Sequence, residues 1–169
     1  MTDFRKAGPG DRDAILHLVN RVFSGEQGIP KELHPVPEHM HPQWWCALRE
    51  GQIVGTAALF VEDEVWHMGR IAVAPELRRQ GIAAGLLEFA LRDTFSQNVP
   101  RVFLEAQDTT IHIMRKFGAR TLGEPQLFYG SAVTLVVLEQ EDFFRSTGEA
   151  CGTGRRNPSE TCHKDAGTH

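Results

Sequence analysis

The sequence of 169 residues predicts an α+β fold with one central sheet and helices around it. Strand-length apolar segments bounded by turn residues alternate with segments whose apolar residues recur near every 3.6 positions. Hydrophobic residues make up 41% and charged residues 24%, the balance of an ordinary globular domain long enough to close one core.

Asp11 can cap a first helix whose positions Ala14, Ile15, Leu18, Val19, Val22 and Phe23 share a side. A loop rich in Pro and His covers residues 25–42. Residues 44–49 and 52–61 read as strands joined by a hairpin turn at Glu50-Gly51. Asp63 opens another turn, and Val65–Val73 is a third strand, halted by Pro75. The strongest helical pattern covers residues 82–95, with Ile82, Leu86, Phe89, Ala90 and Leu91 lining one side. Arg101–Ala106 is a strand, and residues 109–117 form a short helix stopped by Gly118. Residues 126–129 and 132–138 close the ordered part as strands. One domain is expected over residues 1–145, followed by a polar tail, 146–169, too poor in large apolar residues to order itself. Cutting the chain after about Glu141 is therefore expected to leave thermal unfolding nearly unchanged.

The formal charge of −4 and pI near 6.0 argue against general nucleic-acid binding, which needs a basic surface. No apolar run reaches bilayer length, so no membrane association is expected. The opening Met1-Thr2-Asp3-Phe4-Arg5-Lys6 lacks the apolar stretch of a secretion signal. Cys46, Cys151 and Cys162 are an odd, sparse set, which suggests a reducing cytoplasm without a disulfide framework. The spacing of Cys151, Cys162 and His163 fits no zinc pattern. His34, His39 and His41 cluster in the loop, but no metal is expected there.

The chemistry concentrates in Val73-Ala74-Pro75-Glu76-Leu77-Arg78-Arg79-Gln80-Gly81-Ile82-Ala83. A strand ends, a loop turns and a helix opens with small residues. The first N–H groups of a helix have no internal partner and its dipole is positive there, so a diphosphate fits. Arg78 and Arg79 add full charges beside it. The Gly-Lys-Ser/Thr of a Walker loop is absent, as are the spaced glycines of a dinucleotide fold.

This segment resembles the main motif of the GNAT acetyltransferase superfamily: an apolar strand, Pro, then Arg/Gln-x-x-Gly-x-Gly/Ala. Gly69 to Pro75 and Arg78 to Ala83 supply it in register. Leu104-Glu105-Ala106-Gln107 through Lys116-Phe117-Gly118-Ala119 resembles the second motif. Val22-Phe23-Ser24-Gly25-Glu26-Gln27-Gly28-Ile29-Pro30 is similar to the signature of the ElaA-like subgroup. The match covers about residues 3 to 139.

The resemblance implies a GNAT fold, an α/β three-layer arrangement in which two parallel strands of a mixed sheet splay apart around a pantetheine arm. It implies acetyl-CoA as cosubstrate and direct transfer of the acyl group to the primary amine of a small molecule or peptide, by a monomer or homodimer. Ile71, Ala72 and Val73 would meet the acyl carbonyl and pantetheine. Arg78, Arg79, Gln80, Gly81, Ile82 and Ala83 would hold the pyrophosphate, and Gln107 stands where the family often has a cofactor-contacting Asn. The family's usual acid, a Tyr, is replaced by Met114, which cannot donate a proton; Ala119 replaces a Phe. Tyr129 is the only tyrosine and a candidate substitute acid. Candidate bases are Glu26, His67 and Glu105, imidazole being the side chain that exchanges protons near neutrality. His67 shares strand parity with Ile71 and Val73 unless a bulge intervenes. Trp44 and Trp45 suggest one buried ring and one near the acceptor loop. A non-catalytic acyl-CoA sensor and an acyl-homoserine-lactone-synthase-like enzyme remain as alternatives.

Overall fold

The computed structural model describes residues 1–148. Its elements are β1 (Asp3–Lys6), α1 (Arg12–Gln27), β2 (Gln43–Arg49), β3 (Gln52–Glu62), β4 (Val65–Val73), α2 (Ile82–Ser96), β5 (Arg101–Ala106), α3 (Asp108–Lys116), β6 (Arg120–Phe128), β7 (Ser131–Glu139) and α4 (Gln140–Ser146). Seven strands form one mixed sheet in the order β1-β2-β3-β4-β5-β7-β6.

Three hairpins rest on two-residue turns that demand positive φ at both positions. Glu50 and Gly51 adopt 50° and 75°, Asp63 and Glu64 adopt 50° and 63°, and Tyr129 and Gly130 adopt 47° and 80°. They set the register of β2 with β3, β3 with β4, and β6 with β7. The central strand β3 is buried on both faces. On one face Gly55 meets Leu86 and Ile82 of α2, so closely that an added Cβ would lie 3.1 Å from the Ala47 Cβ. On the other, Thr56, Ala58 and Phe60 lie under α1 and the loop that follows it. Helix, sheet and helix make three layers.

Trp45 is fully buried and donates its indole N–H to Asp93 at 2.8 Å, while half-buried Trp44 packs with Val36, Ala58 and Phe60. The two rings thus divide between the core and the loop.

Two elements went unforeseen. Short β1 pairs with β2, placing Phe4 against Gly85 of α2. Helix α4 overturns the expectation that the ordered part ends with β7. Its Phe143 is fully buried, with ring centroids 5.4 Å from Phe95 and 5.7 Å from Phe117. Gly118, at φ 95°, lets the chain pass beneath this helix; a Cβ there would lie 3.0 Å from the Asp142 carbonyl oxygen. Strand β6 is also longer than expected, because a bulge between Leu122 and Gln126 absorbs Gly123 and Pro125 without ending the pairing. The expected tail lies, from residue 149 onward, outside the described residues.

The start of α1 departs in detail from its expected capping. Asp11 is the N-cap, yet its carboxylate makes no cap bond to α1; it accepts from Arg5 at 2.6 Å and 3.0 Å and from the Gly8 N–H at 2.8 Å. Chiefly through Arg5, these bonds hold its pKa at about 2.

Two predictions follow from this packing. Phe143→Ala removes a core ring worth about 3–5 kcal/mol, so it should lower the melting temperature by roughly 10 °C, and truncation after Glu141 should do at least as much. A melting curve unmoved by either would reject this role for α4. For Asp11, whose folded pKa lies below its ordinary 3.8, the stabilisation is present above that value and lost as pH falls toward about 2. Asp11→Asn should therefore cost roughly 1–3 °C at pH 7 and only a small part of that near pH 2, where the carboxyl is half protonated; an equal loss at both would reject the clasp.

Candidate active site

Strand β4 is antiparallel to β3 along its length but parallel to β5 at a single pair, His67 with Phe103. Beyond it the two strands separate. The cause lies in β4: Ala58 pairs with Gly69 and Thr56 with Ala72, so Arg70 and Ile71 together oppose one residue of β3. Arg70 takes a φ of 51°. Thr56 Oγ1 donates to the Arg70 carbonyl at 2.9 Å, and Arg70 Nε donates to the His34 carbonyl at 3.0 Å. The bulge also resets parity. His67 shares a face with Gly69 and Ala72 rather than with Val73, because their β3 partners alternate as Phe60, Ala58, Thr56 and Gly55.

The opened strands lead into a cavity of about 1120 Å³ that runs from the start of α2 to the loop after α1. Ile71, Ala72, Val73, Arg78, Arg79, Gly81, Ile82, Ala83 and Gln107 all line it, as do Glu26, His67 and Glu105. A smaller cavity of about 460 Å³ has its charged lining residues Arg5 and Asp11 paired with each other and Glu76 paired with Arg21.

At the α2 end the backbone is shaped for an anion. Arg79 and Gly81 adopt φ of 62° and 78°, the left-handed conformation that turns successive N–H groups inward. Gly81 is the N-cap of α2, and a Cβ built there would meet nothing within 4 Å. That open space above unpaired helix N–H groups fits a diphosphate. Gln107 is the N-cap of α3 and makes no side-chain cap bond, so its amide is available to the cavity.

Glu26 crosses the mouth of the cavity to Arg78 at 2.7 Å. Both side chains are more than a third exposed, at 35% and 41%, so the pair is worth no more than about 1 kcal/mol. A diphosphate at the cradle would readily compete for Arg78. Arg21 and Glu76 pair alongside, raising the guanidinium pKa and lowering the carboxyl pKa by their mutual hydrogen bonds. These contacts fasten α1 to the cradle loop.

Two sequence candidates stand apart. Tyr129 occupies the β6–β7 turn, not a strand; it is 48% exposed, edge-on to Phe128, and does not line the cavity. The Gln80 side chain is turned away and accepts from Arg49 at 2.8 Å, leaving only its backbone near the cradle. Met114 is fully buried while its neighbour Ile113 faces the cavity. His67 stacks on Phe60 at 5.7 Å with Phe103 at 6.2 Å. His34 is buried in the loop and bonded to Asn20 and to the Ile29 carbonyl, apart from any pairing with His39 or His41. Burial pushes the Cys46 thiol up to about 11, which suits a packing residue and not a nucleophile. Arg70 and Glu62 also line the cavity and were not singled out from sequence; Arg70 was hidden by its place inside a strand pattern.

The acetyltransferase (GNAT) family model matches residues 13–119, and the chain belongs to that family. Its fold is shared with solved structures of low sequence identity. Escherichia coli ElaA is 19% identical at a TM-score of 0.68, over 80% of this chain and 99% of that one. An acyl-CoA N-acyltransferase from Pseudomonas aeruginosa is 21% identical at 0.68, over 81% and 99%. YncA from Salmonella typhimurium, solved with its cofactor acetyl-CoA, is 13% identical at 0.66, over 82% and 94%.

Gly81→Val tests the cradle. A branched side chain at φ 78° is strained and projects into the anion space. Calorimetry should show coenzyme A affinity falling at least about 100-fold, a loss near 3 kcal/mol, in a chain that still folds; unchanged affinity would reject the cradle.

Proposed function

We propose that this protein transfers an acetyl group from acetyl-CoA directly to the primary amine of a small acceptor. The separation of β4 from β5, opening onto the amide cradle at Gly81, carries this reading. The yncA complex with acetyl-CoA supports the choice of donor.

When bound, acetyl-CoA supplies an electrophilic thioester carbonyl and a thiolate leaving group. Residues Arg78 to Ala83 grip the diphosphate through backbone N–H groups and the two arginines. The backbone of Ile71, Ala72 and Val73, without a β5 partner, would hold the pantetheine amides and could offer an N–H to the carbonyl oxygen. Such a donor stabilises charge that develops during attack. Gln107 holds the cofactor from the opposite strand end.

His67 is the base in this reading. It lines the cavity with no hydrogen-bond partner for its ring nitrogens among the described residues, and Phe60 and Phe103 fix its plane. It takes the proton of the amine as nitrogen bonds to the carbonyl carbon and the carbon–sulfur bond breaks. Glu26, released from Arg78 by the diphosphate, is free to receive a cationic amine. The thiolate leaves without protein acid or through water, since neither Met114 nor Tyr129 is placed to protonate it. Placing amine and thioester together provides much of the rate. The domain spans residues 1–145, and the reaction needs no metal.

Thiol release from acetyl-CoA across a panel of primary amines tests the reading. Turnover with at least one amine is expected, and His67→Gln should lower kcat by about 100-fold or more near pH 7. Coenzyme A binding with no release for any amine would favour a sensor. Undiminished turnover in the variant would move the base to Glu105.

A further inference from the structure

The acceptor end of the cavity holds a positive charge that acyl transfer does not use. Arg70 lines this space from the β4 bulge, with its Nε bound to the His34 carbonyl at 3.0 Å and its guanidinium 5.5 Å from the Phe60 ring centroid. Its position is therefore held from two sides, while most of its five N–H donors are uncommitted. Arg5, Arg21 and Arg78 each hold a carboxylate at 2.5–2.7 Å. Arg70 forms no such ion pair among the described residues; Glu62 influences it only from a distance, and burial lowers its pKa below the ordinary arginine value. Desolvating a cation without a counter-anion is costly. A planar fork fixed in a cavity wall matches a carboxylate, which it can bind through two parallel hydrogen bonds.

We propose that Arg70 binds a carboxylate of the acceptor, which is therefore a small amino-acid-like zwitterion carrying both the reacting amine and a carboxylate. The proposal rests on the acyl-transfer reading and names its substrate class. Arg70 precedes Ile71, whose backbone faces the thioester in that reading, and follows His67 by three positions on one strand. A carboxylate anchored there holds its amine close to both. The ammonium form meets Glu26, Glu32, Glu62 and Glu105 around the same cavity before it loses a proton. An acceptor with positive charge alone would leave Arg70 facing like charge, which selects against polyamines.

Calorimetric titration of the coenzyme A-loaded full chain tests this with matched sets: phenylalanine, phenylalaninamide and phenethylamine, and lysine, lysinamide and cadaverine. At least one free carboxylate compound should bind 10-fold or more tightly than its two counterparts. Arg70→Met should erase that preference without changing coenzyme A affinity, and Arg70→Lys, which keeps the charge but not the fork, should retain part of it. Equal binding within each set, no binding by any compound, or a preference that survives Arg70→Met would each overturn the proposal. So would a loss of coenzyme A affinity in both variants, which would assign Arg70 to the cofactor. A wild-type chain that binds no coenzyme A would remove the acyl-transfer reading itself.

Discussion

One extra residue in β4 sets the geometry of the site. If Arg70 and Ile71 matched two residues of β3, the strand would continue straight and could keep pairing with β5. Instead the bulge turns it away after His67. A non-glycine residue at φ 51° costs of the order of 1 kcal/mol. Thr56 offsets this by bonding the Arg70 backbone carbonyl, while the His34 carbonyl only orients the Arg70 side chain. Thr56 is fully buried, so losing the Arg70 carbonyl would leave its hydroxyl unsatisfied. The gap is thus fixed by a local network and does not depend on a ligand.

The opening acquires direction from what lies at its two ends. At one, α2 begins with amide hydrogens that its own turns cannot satisfy, beside Arg78 and Arg79. At the other, carboxylates and one arginine share a wall with Phe60, Pro35 and Met40. In the proposed reaction this arrangement sorts anion and acceptor electrostatically along one cavity. Glu26 joins the two ends, since its exposed pair with Arg78 is weak enough to exchange. In the proposed reaction, filling the cradle changes the charge offered to the acceptor.

What was legible in the sequence had local causes. The run from Val73 to Ala83 encodes its strand end, turn and helix start within eleven neighbouring residues, and the hairpin turn at Glu50-Gly51 follows from two. Strand β1 was not visible because four mostly exposed residues carry little pattern of their own; their order comes from pairing with the distant β2. Helix α4 has no periodic stripe, only adjacent Phe143 and Phe144, whose burial depends on Phe95 and Phe117. The face of His67 depended on a bulge, and a shift of one residue reverses every later side chain. The side chains of Tyr129 and Gln80 lie away from the cavity for a related reason. Motif position locates a backbone, whereas turn conformation and the reach of Arg49 decide where the side chains go.

The replacement of a tyrosine by Met114 is easier to reconcile with catalysis than it first looks. A thiol has a pKa near 8.5, so at pH 7.5 protonating the departing thiolate gains only about 1.4 kcal/mol, a factor of roughly ten. An alkylammonium near 10.4 must give up its proton before it can attack, which at the same pH costs about 4 kcal/mol. The energetic demand for a base is therefore several-fold larger than that for an acid. A buried, apolar Met114 sacrifices the smaller contribution and strengthens packing beneath α3. In the proposed reaction His67, at the last point of contact between the diverging strands, supplies the larger contribution.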